Sequence, residues 1–240
     1  MKVKSIIKIL ILGLFLFSCE YLKKDYNLKE EITLYPEIRM IYLENDIDIL
    51  IVQDTIDFIK IISPDNLING VKQVVKGDTI TLLNENRSQI IDRYGYKITA
   101  EVHSKNLYYV YFKGSGTVES KDTLKMDSFQ VTTMNATGNI NLKFKGNYLR
   151  LVHSTGAVDV HISGSVNTLS VWTATYGRVD LSNFIAKRVT VTNISTNDIF
   201  VYASEYLEAM IEYTGNIYYY GKPGEIKIEK KGSGEVIMLK

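Results

Sequence analysis

The sequence predicts an all-β protein built as a solenoid of stacked coils. Three observations lead to this prediction: a turn containing glycine recurs about every twenty residues, apolar residues follow each turn at alternate positions, and a second short alternating segment precedes most turns. Periods near twenty residues are typical of solenoids, and alternation is typical of strands with one buried face. The composition agrees, because 17 Tyr and only 3 Pro in 240 residues favour strands over helices.

Charge and cysteine content exclude two classes of protein. The formal net charge is +1, with 28 Lys and Arg against 27 Asp and Glu, so the chain has no basic surface for wrapping nucleic acid. The single cysteine excludes a disulfide-stapled scaffold, so stability must come from burial of apolar side chains. The length suits one good-sized domain or two small ones.

Residues 1–18 are predicted to be a lipoprotein signal peptide. Three lysines within the first eight residues precede an apolar run from Ile9 to Phe17, which is too short to span a bilayer, and Leu16–Cys19 closes the run as a lipobox. We therefore expect acylation of Cys19 and a place in the cell envelope, at the outer membrane. The alternatives are an ordinary signal peptide with an incidental cysteine, or an uncleaved anchor.

The next two segments are a predicted tether and a predicted cap. Residues 19–31 are charged and lack apolar periodicity, which is typical of a tether between a lipid and a folded body. Residues 32–110 contain alternating runs such as Ile47–Ile51, with a helical piece expected at Leu67–Val75. Because a solenoid needs its ends covered, this strand-rich segment is predicted to lead into the first coil and to cap it.

Residues 111–240 are predicted to form about seven coils of roughly 20 residues. The turn positions are Gly116, Gly138, Gly156, Gly177, Asn197, Gly215 and Gly234. Glycine and asparagine tolerate a positive φ best, so we expect positive φ at these turns. Two residues after each turn comes an apolar residue, and together these form one inward column: Val118, Ile140, Val158, Val179, Ile199, Ile217 and Val236. The rival is an antiparallel meander, but the recurrence of the same flanks favours parallel coils.

The carboxy-terminal motifs resemble those of the head GIN domain family of auto-transporter adhesins. The run Gly215–Pro223 (GNIYYYGKP) is followed by a last G-S-G turn at Gly232–Gly234, and the segments Pro64–Ile68 and Gly77–Thr81 occupy corresponding places. The resemblance covers about residues 35–240. It implies a right-handed parallel β-helix-like fold on the cell envelope, and it brings no catalytic residues and no cofactor.

The outward positions of the last coils form a candidate contact surface, which we call the aromatic face. Solvent-facing strand positions are normally polar, whereas a contiguous apolar patch usually marks a contact. Two interpretations stay open: the N-terminal segment or the chain's own end covers the patch, or a glycan or protein partner binds it. Its residues are Phe200, Tyr202, Tyr218, Tyr220, Ile237 and Leu239.

A second, polar candidate lies earlier on the same face. If the turn glycines align, Asp159 and Asp180 become neighbours about 4.8 Å apart in the stack, with His161 beside them. Such a pair could bind a hard cation such as calcium, or serve as general acid and base on a sugar. The plainer interpretation is a solvated face on which Asp159 pairs with Lys143 or His161. None of the three histidines has the spacing of a metal motif, so we expect no metal.

These patterns predict a lipid-anchored, non-enzymatic envelope protein that presents a solenoid surface for binding or adhesion to a glycan or protein. The alternatives are a carbohydrate-active enzyme that uses the paired carboxylates, and a purely structural envelope scaffold.

Overall fold

The computed structural model describes residues 27–86 and 97–240. Of these described residues 71% lie in strands, and their one helix is a 3-10 turn at Ile68–Gly70. Among these residues, no helix is long and apolar enough to cross a bilayer. The predicted signal peptide and the lipidation site Cys19 lie outside the described residues.

Sixteen strands form one continuous sheet system. The N-terminal seven are β1 (Leu28–Leu34), β2 (Met40–Asp46), β3 (Asp48–Gln53), β4 (Phe58–Pro64), β5 (Val71–Lys76), β6 (Thr79–Asn84) and β7 (Thr99–Ser104). The remaining nine are β8 (Tyr109–Ser120), β9 (Leu124–Lys125), β10 (Ser128–His153), β11 (Gly156–Thr173), β12 (Val179–Asn193), β13 (Ile199–Ile211), β14 (Ile217–Tyr220), β15 (Glu225–Lys230) and β16 (Val236–Met238).

From β8 onward every pairing between strands is parallel, and the coils stack as a β-solenoid of about six turns. This confirms the predicted all-β solenoid and rules out the antiparallel meander. The inward column that follows the turns consists of Val118, Ile140, Val160, Val179, Ile199, Ile217 and Val236, which are register partners from coil to coil. Six of its seven members are those predicted, and the exception is Val160 in place of Val158.

The N-terminal segment continues the solenoid and then closes its end. Strands β2 and β3 pair parallel with β8, so they form a coil in the same stack. Strands β1, β4 and β5 instead pair antiparallel, with β4, β7 and β6 respectively. This change of direction ends the parallel stack and covers it with strands.

Two boundaries differ from the sequence prediction. Strand β1 begins at Leu28, inside the stretch expected to be a tether, because its backbone pairs with β4 from Leu28 to Leu34. The piece expected to be helical at Leu67–Val75 is a 3-10 turn followed by β5. A hairpin with β6 supplies its hydrogen bonds there, and such tertiary pairing overrides local helix propensity.

The core is a continuous column of apolar side chains inside the coils. Its largest members include four phenylalanines at 0–1% exposure, of which Phe129 stacks on Phe144 at a centroid distance of 6.0 Å and Phe144 meets Phe184 at 6.3 Å. Burying each such ring stabilises the fold by about 2–3 kcal/mol. Without disulfides, this stack of rings and aliphatic side chains holds the coils together.

The turn glycines are required for two reasons. Gly138 has φ +122°, and a Cβ there would lie 1.9 Å from the carbonyl oxygen of Gly116 in the preceding coil. Gly177 does not have a positive φ, yet its Cβ would lie 1.9 Å from the carbonyl oxygen of Val158. The predicted positive φ is therefore right for Gly116, Gly138 and Gly156 and wrong for Gly177, Asn197, Gly215 and Gly234. At Gly177, Gly215 and Gly234 a side chain is excluded because the backbone of the neighbouring coil lies too close.

The C-terminal end of the stack finishes with strand β15. Strand β15 pairs with β13 along one edge, and within the described residues no strand pairs with its other edge. All six residues of β15 are exposed. The solenoid therefore ends in an open strand edge, which we call the open end.

Candidate functional site

The aromatic face begins with one outward column that runs through β13, β14 and β16. The parallel register places Phe200 beside Tyr218, and Tyr218 beside Ile237. The two rings stack with centroids 4.9 Å apart and an interplanar angle of 10°. The Arg178 guanidinium lies over the opposite face of this stack, 4.9 Å from the Phe200 centroid. A cation over an aromatic ring contributes about 0.5–1 kcal/mol at such exposed sites.

A second outward column widens this surface. Tyr202 lies beside Tyr220 on one side and beside Ile185 on the other. Ile185 is 50% exposed, and it follows an irregularity in the strand register between Asp180 and Ile185. The six predicted residues of the aromatic face are all half-buried, including Ile237 and Leu239. Register pairing joins Phe200, Tyr218 and Ile237 in one column and Tyr202 and Tyr220 in the next, and all are partly exposed to solvent.

The described part of the N-terminal segment does not cover the aromatic face. The stacking order puts β1, β4, β7 and β3 at one end and β12 to β16 at the other, with β8, β10 and β11 between them. Within the described residues, the patch is thus separated from the cap by the middle of the solenoid.

Two residues of this surface could not be found from the sequence pattern. Arg178 precedes Asp180 by two positions, so alternation places it outward, but its reach over Phe200 depends on side-chain conformation. Ile185 follows the bulge after Asp180, where counting from the turn no longer gives the correct face.

The predicted pairing of Asp159 with Asp180 is wrong. The register places His161, not Asp159, beside Asp180, and it places Asp159 beside Asn139. Gly156 lies opposite Ala136, so aligning it with Gly138 shifts this coil by two residues. Because strands alternate with a period of two, a shift of two residues preserves the apolar pattern and leaves no trace in the sequence.

Arg178 joins the two carboxylates instead. Its backbone N–H donates to Asp159 Oδ1 at 2.8 Å, and its guanidinium Nη2 donates to Asp180 Oδ2 at 3.0 Å. Asp180 Oδ1 also accepts the Ser182 hydroxyl at 2.7 Å. Partial burial acts to raise the pKa of Asp180, but the hydrogen bonds from Ser182 and the charge of Arg178 outweigh it, so the pKa is lowered.

A carboxyl with a lowered pKa is suited to stay ionised, whereas a general acid in a glycosidase requires a raised pKa. A polar groove of about 350 Å³ passes this point, lined by Glu119, Lys143, His161 and Asp180 among others. Among the residues that the structure describes, no group of three or more His, Cys, Asp or Glu side chains could hold a metal ion.

Inside the coils, polar side chains form a buried ladder at one corner. His153, Thr173 and Asn193 are register partners in successive coils, and all are at most 1% exposed. Thr175 Oγ1 lies 3.2 Å from His153 Nε2 and accepts the Gly177 N–H at 3.0 Å. The hydroxyl proton of Thr175 is then free to be donated to a neutral imidazole nitrogen. Burial lowers the pKa of His153 to about 4, and the charge of Asp159 opposes this only in part.

One coil further on, Asn193 organises the same corner. Its Oδ1 accepts the Ser195 N–H at 2.9 Å and the Ser195 hydroxyl at 2.8 Å, while its Nδ2 donates to the Asn197 carbonyl at 2.9 Å. These bonds satisfy the backbone of a turn that would otherwise be buried without partners. The ladder is therefore structural: it fixes the turn from which the outward column starts.

Comparison with known families decides the classification. The family described as "Putative auto-transporter adhesin, head GIN domain" matches residues 39–223. The chain belongs to the head GIN domain family. No curated protein matches this head GIN domain protein.

Solved structures share the head GIN domain fold. A putative adhesin from Bacteroides fragilis is 22% identical with a TM-score of 0.81, covering 90% of this chain and 98% of its own. A putative lipid binding protein from Parabacteroides distasonis is 20% identical with a TM-score of 0.66, covering 89% and 97%. A putative adhesin from the same species is 18% identical with a TM-score of 0.63, covering 90% and 98%. These likenesses establish the fold.

Proposed function

We propose that the protein is a non-enzymatic, lipid-anchored envelope protein of the adhesin type, and that the aromatic face is its contact surface. The family description and the adhesin descriptions of two structural neighbours support the adhesin role. The lipobox ending at Cys19 supports the anchor and a place at the outer membrane.

The observation that carries the proposal is the half-exposed stack of Phe200 and Tyr218. An aromatic stack on the outer side of a solenoid contributes little to the core, yet it leaves apolar area in water. Tyrosine suits such a surface because it offers a rigid apolar ring and a hydroxyl that stays solvated. The Asn216 amide donates to the Tyr218 hydroxyl at 3.4 Å, which helps to hold the ring in place.

The stacking geometry also bears on the kind of ligand. Phe200 has Arg178 on one face and Tyr218 on the other, so it presents its edge to solvent. A sugar that stacks on an aromatic residue needs an open ring face. Ring edges with flanking hydroxyls form a flatter surface that suits a protein partner. Of the two ligands expected, glycan or protein, this geometry favours a protein.

The test is photo-cross-linking in intact cells. A benzophenone amino acid at Tyr218 should cross-link to a separate macromolecule, and a matched probe at Tyr148, an exposed tyrosine three coils from the face, should not. Cross-links from Tyr218 only to the protein's own residues would show that the face is an internal seam and would refute the proposal. A glycan adduct would keep the binding function and correct the ligand class.

Binding variants supply an independent measurement. The double change Phe200→Ala and Tyr218→Ala should abolish attachment of the partner, because it removes the whole stack. Tyr148→Ala should leave attachment unchanged. Equal attachment by both variants would place the contact elsewhere on the molecule.

A further inference from the structure

The open end exposes apolar side chains that belong to the core. Ile226 and Ile228 continue the inward columns of Leu207 and Ala209, which are fully buried one coil earlier. At the open end their exposed fractions are 41% and 51%, and Met238 of β16 is 49% exposed. The other end of the same stack is closed by antiparallel strands. Exposed apolar side chains occur at that end too: Ile32 of β1 is 62% exposed, and Val75 of β5, opposite the buried Ile80, is 52% exposed. What sets the open end apart is that two successive inward positions, Ile226 and Ile228, are both exposed there.

At the free edge of β15, every second residue presents an unpaired backbone N–H and C=O group. The Lys231 N–H donates to Ile211 of β13 at 2.8 Å, so odd-numbered residues of this strand direct their N–H and C=O toward β13. Even-numbered residues then direct theirs toward the free edge: Ile226, Ile228 and Lys230. A strand that pairs with this edge must place its own N–H and C=O groups opposite those of these three residues.

We propose that this edge pairs antiparallel with the same strand of a second copy, with Ile228 opposite Ile228. The occupant follows from charge complementarity. On the outward side this register places Lys227 opposite Glu229 and Glu225 opposite Lys231, and the two-fold axis repeats both pairs. Four opposite-charge pairs form, and each such cross-strand pair is stabilising.

The two neighbouring registers that also let the backbone groups of this edge pair are unfavourable. Shifting the register by two residues in one direction puts Lys227 opposite Lys227 and Glu225 opposite Glu229. Shifting it in the other direction puts Glu229 opposite Glu229 and Lys227 opposite Lys231. Like charges directly opposite each other are destabilising, so the sequence Glu225–Lys231 selects one alignment with itself.

The inward side of the same register is complementary as well. Ile228 meets its own copy, and Ile226 lies opposite Lys230. The Lys230 Nζ is held by Glu235 Oε1 at 2.5 Å, which leaves its aliphatic stem to cover the isoleucine. Pairing would thus remove the two exposed isoleucines of each copy from water and join the two cores end to end.

The experiment is oxidative cross-linking of the full chain in the membranes of intact cells, read on non-reducing gels. Ile228→Cys places two thiols directly opposite each other, with Cα atoms about 5.5 Å apart, within the range of a disulfide. Ile226→Cys is the matched control, because it lies on the same side of the same strand. Its two copies would be about 14 Å apart in the proposed register. The unsubstituted chain reports any cross-link through Cys19.

We expect a disulfide-linked dimer from Ile228→Cys, and a yield about tenfold lower from Ile226→Cys. In the Ile228→Cys background, Glu229→Lys should lower the yield about tenfold, because it turns two attractive pairs into repulsive ones. The double change Lys227→Glu and Glu229→Lys should restore the yield.

Three results would overturn the proposal. A monomer from both cysteine variants would show that the charged edge prevents pairing, as edge charges do in many sheets. Equal yields from the two cysteine variants would show non-specific collision. If the charge swap does not restore the dimer, charge complementarity does not determine the register. All substituted positions are exposed, and protease resistance of each variant checks that it is folded.

Discussion

The buried His153 predicts a specific loss of stability in mild acid. Its ring is fully buried, and its pKa falls from 6.5 in the unfolded chain to about 4 in the folded protein. Above pH 6.5 the imidazole is neutral in both states and contributes no pH dependence. As the pH falls from 6.5 toward 4, the unfolded chain binds a proton that the folded protein does not bind. The free energy of unfolding therefore decreases through this window and levels off below it.

The magnitude follows from the two pKa values. Between pH 7.5 and pH 5, the single site lowers the free energy of unfolding by about 2 kcal/mol, at 1.36 kcal/mol per pH unit below 6.5. Stopping at pH 5 keeps the measurement above the ordinary pKa values of Asp and Glu side chains, about 3.9 and 4.3. The expected loss is large compared with a total stability of about 5–15 kcal/mol.

The assay is urea denaturation at both pH values, followed by the fluorescence of Trp172. This is the only tryptophan of the chain, and it lies on the strand that pairs with that of His153. His153→Asn keeps a polar side chain, as Asn193 does at the same corner, and it should reduce the pH-dependent loss by about 2 kcal/mol. His161→Asn, which replaces an exposed ring, should keep the full loss because His153 remains. An unchanged pH dependence in His153→Asn would refute the reasoning.

Two further predictions concern the turns and the ladder. Gly138→Ala should lower the free energy of unfolding by about 3 kcal/mol or more, because its Cβ would meet the Gly116 carbonyl and its φ is strained. Gly77→Ala, with φ +65° but open space, should lose only about 1 kcal/mol. Asn193→Ala should lose about 3 kcal/mol by leaving buried groups unpaired, and the exposed Asn167→Ala less than about 1 kcal/mol. Urea denaturation measures all four, and equal losses within either pair would contradict these contacts.

The sequence predicted the architecture because the repeat carries its own physical signature. Apolar residues at alternate positions must face one side of a strand, and a turn every twenty residues returns the chain to the same sheet. This sufficed to identify six of the seven members of the inward column, from Val118 to Val236. It could not fix the register of the coil that begins at Gly156, since a slip of two residues leaves the alternation intact.

The site was predicted less completely than the fold. The column of Phe200, Tyr218 and Ile237 followed from alternation, and the structure places these residues in register. The relation between Asp159 and Asp180 depends on the register of the coil that begins at Gly156, which the alternation of apolar residues does not determine. Arg178, which contacts both carboxylates and the Phe200 ring, forms its contacts through a long side chain whose conformation the sequence pattern does not specify.

The order of the strands has a mechanical consequence. The first described strand, β1, lies at the N-terminal end of the stack, and the aromatic face lies at most ten strand spacings from it, about 48 Å along the stack. Tension between the N terminus and a ligand on that face would run along the stack, parallel to the hydrogen bonds between coils. Such a load peels strands apart one after another instead of shearing them all at once. Each coil of about twenty residues that detaches would lengthen the chain by about 60 Å, so the solenoid would yield stepwise under load while the aromatic face stays folded.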